Sequence, residues 1–63
     1  MNAMGEYEFR LLDASGKLSK TEKRLCDTVA MAVEVGVKLV SGHKWVEIWA
    51  GSQAIARIPH VSL

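Results

Sequence analysis

Cysteine is almost missing from this chain: Cys26 stands alone, so no disulfide closes within it, whereas small secreted domains carry paired cysteines that make up for a thin core. A reducing, cytoplasmic setting is the expectation. Cys26, His43 and His60 are scattered singly and lack the paired short spacings that bring four ligands to a tetrahedral zinc ion. No metal and no other cofactor is therefore expected. A long apolar run is missing too. The most hydrophobic stretch is broken by Glu34 and Lys38, well short of the roughly 20 apolar residues that a membrane span needs. Residues 1–5 lead at once into Glu6 and Glu8 rather than into the apolar centre of a secretion signal. Charge of one sign is also lacking: 8 basic against 7 acidic side chains leave a net +1, too weak a field to steer the chain onto a phosphate backbone. Nucleic acid is not the expected partner, and no small-molecule substrate is indicated.

What is there is short. A chain of 63 residues makes one domain, 1–63, and buries only about 60% of the surface that its unfolded form exposes. A core of this size seldom supplies more than about 3–5 kcal/mol, and chains of this length lean on disulfides, metals or a second subunit. With the first two set aside, a homodimer is the expectation. Residues 1–5 and 59–63 are expected to be flexible tails.

Along the chain, Tyr7, Phe9 and Leu11 alternate with Glu6, Glu8 and Arg10, the period of a half-buried strand. Asp13-Ala14-Ser15-Gly16 follows as an Asx-type reversal with a glycine free to take positive φ. Residues 17–25 allow two readings. Ser19 to Glu22 matches a capping box that would start a helix, while Lys20, Lys23 and Arg24 suit a solvated edge strand that resists aggregation. From Asp27 to Ser41 the chain permits an alternating strand, because Val33, Val35, Val37 and Leu39 interleave with Glu34, Gly36 and Lys38. The helical reading is favoured. At 100° per residue Asp27, Met31, Glu34, Lys38 and Ser41 fall within one narrow stripe that holds the polar residues, and about two-thirds of the circumference is apolar. Asp27 can cap the helix start, and Gly42 can follow its end. Trp45 to Ile58 predicts a β-hairpin about a type II′ turn at Gly51-Ser52. That register sets Trp49 against Ala54, Ile48 against Ile55, Val46 against Arg57 and Trp45 against Ile58, with Glu47 and Arg57 on opposite faces.

The segments DASG, Cys26-Asp27 and LVSGHKWVEIWAGSQAIARI resemble a family of short uncharacterised bacterial proteins with a closing "GHxVExWxGxxxxAR" hairpin. Gly42, His43, Val46, Glu47, Trp49, Gly51, Ala56 and Arg57 carry the likeness. Thr28-Val29-Ala30-Met31 departs from the acidic, alanine-rich helix start of that family, and Trp45 occupies a variable or inserted position. The resemblance implies a ββαββ order, hence a strand at 17–25, and brings no activity or ligand with it. The expected fold is therefore α+β, a small antiparallel sheet of β-hairpins with one helix packed on one face.

For function, Cys26 has no local base to make it a nucleophile, and His43 and His60 lack an orienting carboxylate. No enzyme activity is expected. The expected role is a non-enzymatic interaction or homo-oligomerisation module, with Trp45, Glu47, Trp49, Arg57, Val33 and Val37 as its interface, facing a second copy or a protein partner. The alternative is a small nucleic-acid-binding regulator using Lys17, Lys20, Lys23 and Arg24.

Overall fold

The computed structural model describes residues 5–60, and the expected tails at 1–4 and 61–63 lie outside the described residues. Gly5 and Pro59, also expected in the tails, are the first and last strand residues. Four strands and one helix follow in chain order: β1 (Gly5–Leu12), β2 (Leu18–Cys26), α1 (Val29–Leu39), β3 (Trp45–Ala50) and β4 (Gln53–Pro59). The strands form one antiparallel sheet in the order β2-β1-β3-β4, with the helix packed against it. The fold is thus the expected α+β arrangement, and residues 18–26 are strand.

Alternation in β1 assigns the two faces. Phe9 and Leu11 are buried on the helix side with Val46 and Ile48 from β3, and Cys26, Ala32 and Val40 complete the core. The helix meets the sheet along Ala32, Gly36 and Val40, which lie at i, i+4 and i+8 on one stripe. These small residues let the helix axis come close. A Cβ placed on Gly36 would stand 3.0 Å from Ile48 Cδ1 and 3.3 Å from Ile58 Cδ1. Thr28, not Asp27, caps the helix: its extended backbone lets Oγ1 accept from the Met31 amide at 3.1 Å. The helix closes at Val40, whose N–H donates to the Gly36 carbonyl, and Gly42, two residues on, takes a φ of 85°.

Gly51 has a φ of 63° and no non-glycine residue in the described chain is left-handed. This is what a type II′ turn asks of Gly51 and Ser52. Beyond Trp49↔Ala54, however, the register differs from the expectation. The pairs are Ile48↔Ala56, Glu47↔Arg57, Val46↔Ile58 and Trp45↔Pro59, with a shift between Ile48 and Trp49. Ile55 is the extra residue of a bulge, and one extra residue moves every later side chain of β4 to the other face. Glu47 and Arg57 are therefore opposed on the same face, not on opposite ones.

The close seat of Gly36 gives a direct test. Gly36→Val overfills the space before Ile48 and Ile58, and the expected outcome is a loss of about 1–3 kcal/mol in urea unfolding. An unchanged midpoint would show that the two isoleucines yield freely.

Candidate functional site

The sheet face away from the helix is set by register. Three cross-strand rows lie on it. Lys23, Glu8, Trp49 and Ala54 make the first, Thr21, Arg10, Glu47 and Arg57 the second, and Leu18, Leu12, Trp45 and Pro59 the third. Leu25 and Glu6 extend the sheet side of the first row. The third row is apolar throughout. Leu12 in it is only 8% exposed yet does not belong to the helix-side core.

Both tryptophans are half-buried on this face, and each lies under a cation. The Arg10 guanidinium sits 4.1 Å from the Trp49 ring centroid, and that of Arg57 sits 4.9 Å from Trp45, with the Lys44 ammonium at 5.8 Å from the same ring. Such contacts contribute about 0.5–1 kcal/mol each at exposed sites. Carboxylates complete the network: Arg10 Nε donates to Glu8 at 2.6 Å, and the Trp49 indole N–H donates to Glu47 Oε1 at 3.2 Å. Arg10 and Glu47 are directly opposed but do not pair with each other. Arg10 leans instead toward Glu8 and Trp49.

The six residues expected to form one interface fall on two surfaces. Trp45, Glu47, Trp49 and Arg57 share the open sheet face, whereas Val33 and Val37 belong to the helix on the other side. Val37 is 54% exposed there and Val33 is half-buried against the core. The basic run divides likewise. Lys20, Glu22 and Arg24 point to the helix side of β2, opposite Leu11, Phe9 and Tyr7, while Lys23 takes the open face opposite Glu8. Lys20 and Arg24 both pair with Glu22, at 3.3 and 3.0 Å, and Arg24 first, then Lys20, holds the Glu22 carboxyl below its usual range. Lys17 sits in the turn before β2. Alternation along β2 sets Lys23 on the opposite face from Lys20 and Arg24.

Arg10, Leu12 and Lys44 belong to the open face and were not singled out from the sequence. The doublet Leu11-Leu12 carried a signal, since two consecutive apolar residues on a strand must put one on each face. Cys26 is buried at the Gly5 end of the sheet. His43 and His60 lie beyond its other end, where the Lys44 amide donates to Leu12 O and the His60 amide to Lys44 O, both at 2.9 Å. The thiol and the imidazoles are thus the length of β1 apart, roughly 25 Å at about 3.3 Å per residue.

At that far end a shallow cleft of about 320 Å3 runs between the β1–β2 turn and the α1–β3 connection, lined by Asp13, Ala14, Ser19, Gly42, His43 and Lys44. It joins the two glycine-bearing motifs. Asp13 builds the turn: its Oδ1 accepts from the Ser15 hydroxyl at 2.7 Å, the Ser15 amide at 2.9 Å and the Lys17 amide at 3.0 Å. The Ser15 hydroxyl first, and then the Lys17 amide, hold the Asp13 carboxyl below the ordinary aspartate value. Among the described residues no group of three or more His, Cys, Asp or Glu side chains is placed to hold a metal ion. Among the described residues no helix is long and apolar enough to cross a membrane.

Because the folded Asp13 is the stronger acid, its contribution is complete above the carboxyl's unfolded pKa and is lost as pH falls through the folded value. Asp13→Asn removes the charge and keeps the acceptor. The stability gap between wild type and this variant is expected to narrow between about pH 5 and pH 2 in parallel urea titrations. A gap independent of pH would contradict it.

No family model matches the chain, and neither curated proteins nor solved structures contain a match to it.

Proposed function

We propose that this chain is a non-enzymatic interaction module of the bacterial cytoplasm, acting by homo-association as a homodimer and by contact with a protein partner through the open sheet face. One observation carries the reading: Trp45 and Trp49 stand half-exposed on a face that the helix does not cover, each under an arginine. Tryptophan and arginine are the residue types in which binding energy concentrates at protein interfaces. Their rings and stems are ordered here by cross-strand neighbours, so less side-chain freedom remains to be lost on docking. A single thiol, buried at the core's edge, fits a reducing compartment. Membership of the short bacterial family with the "GHxVExWxGxxxxAR" hairpin belongs to the same proposal and is supported by the ββαββ order.

The nucleic-acid alternative has less behind it. Phosphate recognition wants cations that converge, and Lys20 and Arg24 face away from Lys23 and share Glu22.

Sedimentation velocity at micromolar concentration is expected to show a concentration-dependent dimer. Trp49→Ala should leave the circular dichroism spectrum intact and raise the dissociation constant by at least about tenfold, the effect of truncating a hot-spot tryptophan. Unchanged assembly would count against the open face. A salt-sensitive gel shift with single- or double-stranded oligonucleotides, lost when Lys20 and Lys23 are neutralised, would favour the alternative.

A further inference from the structure

Each way in which the sheet could be extended or covered meets a different obstacle. β2 is an edge strand bearing Lys20, Lys23 and Arg24 and interrupted by a register shift opposite Leu11 and Leu12, the devices that discourage strand addition. β4, the other edge, carries the Ile55 bulge. It ends at Pro59, and the neighbouring His60 amide donates inward to Lys44 O. Pro59 therefore stands where a strand residue's N–H points outward, and it has none to offer a new strand. The helix occupies one face. Among the described residues only the open face is left uncovered, and its charges are arranged to match a copy of themselves.

From this complementarity we infer that the open face is covered by the open face of a second copy, about a two-fold axis that lies between β1 and β3 and runs close to the strand direction; the inference rests on the proposed homo-association. Such an axis sets β1 over β3 of the second copy and β2 over its β4, and it keeps each cross-strand row upon itself. In the middle row Arg10 meets Glu47 of the second copy, and Glu47 meets its Arg10, so one operation makes two ion pairs. In the third row Leu12 meets Trp45 and Leu18 meets Pro59, apolar upon apolar. In the first, Glu8 lies across from Trp49 of the second copy. An axis inclined by about 15° to the strands yields the crossing of about 30° found in aligned sheet packing, with the sheets about 10 Å apart.

Unspent hydrogen-bonding capacity supports the middle row. Arg10 uses Nε on Glu8, and Glu47 uses Oε1 on the Trp49 indole. Among the described residues, the terminal guanidinium nitrogens of Arg10 and Oε2 of Glu47 have no side-chain hydrogen bond. A bidentate guanidinium–carboxylate contact across the axis fits those atoms. The product is an eight-stranded sandwich with the two helices on its outer surfaces.

Two charge reversals separate this arrangement from every pairing within one chain. In R10E the new carboxylate meets Glu47 of the second copy, and in E47R the new guanidinium meets Arg10. Each variant alone is expected to sediment as a monomer. An equimolar mixture restores both contacts, because each copy now carries the charge that the other lacks, and is expected to form a 1:1 dimer. Contacts within either chain stay mismatched in the mixture, so recovery reports only on the interface. Circular dichroism and thermal melting of each variant establish that it is folded. Leu18→Arg, at a position already 58% exposed, serves as a variant that leaves the monomer intact, with dimer affinity expected to drop at least tenfold. Wild-type dimers whose affinity ignores R10E, E47R and L18R would overturn the face-to-face arrangement and leave the interaction module standing. Folded variants that disperse alone and stay dispersed when mixed would also overturn it. A wild-type chain monomeric at all concentrations would overturn both.

Discussion

The contact of Ala32, Gly36 and Val40 with the sheet is what the remaining choices in this molecule answer to. A helix of 11 residues can lie on only one side of four strands. The absence of a side chain at Gly36 draws it down against Ile48 and Ile58. Once that seat is taken, strand alternation leaves no freedom: Phe9, Leu11, Val46 and Ile48 go beneath the helix, and Arg10, Leu12, Trp45, Glu47 and Trp49 go to the side that no described element covers. The two tryptophans are outside because two isoleucines and a glycine are inside.

An uncovered face of this kind must be wettable and still hold its strands together. The chain meets both demands with guanidinium groups laid on indole rings. The flat, weakly hydrated arginine head covers aromatic surface while keeping contact with water, and the Glu8–Arg10 and Trp49–Glu47 hydrogen bonds fix the stack along the strands. Leu12 is buried on this side without help from the helix. The open face therefore has some order of its own, and this separates it from a chance exposure of apolar residues.

Much of this was legible from residue order. Glu6 to Leu11 alternates cleanly, Gly51-Ser52 names its turn, and the polar stripe of Glu34 and Lys38 marks the outer side of α1. Other features carried no local sign. Ser19 and Glu22 have the spacing of a capping box, yet Glu22 is engaged by Lys20 and Arg24 on a strand; pairing with β1 outweighs a cap that has no apolar stripe behind it. Thr28 displaces Asp27 as cap by a single position, which either side chain could chemically have filled. The Ile55 bulge is the most consequential of these features. Ala-Ile-Ala-Arg-Ile contains no glycine or proline to announce an extra residue, and the shift brought Arg57 to the side of Glu47 and Trp45. The candidate face could thus be named by its tryptophans, Glu47 and Arg57, but that Arg57 stands on the same side as Glu47 became visible only with the three-dimensional register. Arg10, which sits on a distant segment, entered through the β1–β3 pairing.

Cys26 sits at the junction where β2 gives way to the helix, 2% exposed and on the helix side of the sheet. Thiolate chemistry needs access to the sulfur, and here access requires the core packed around it to open. A lone sulfhydryl in that place makes the chain its own clock for local opening of the core. The pace of its alkylation counts local openings, and no second thiol in the chain blurs the count.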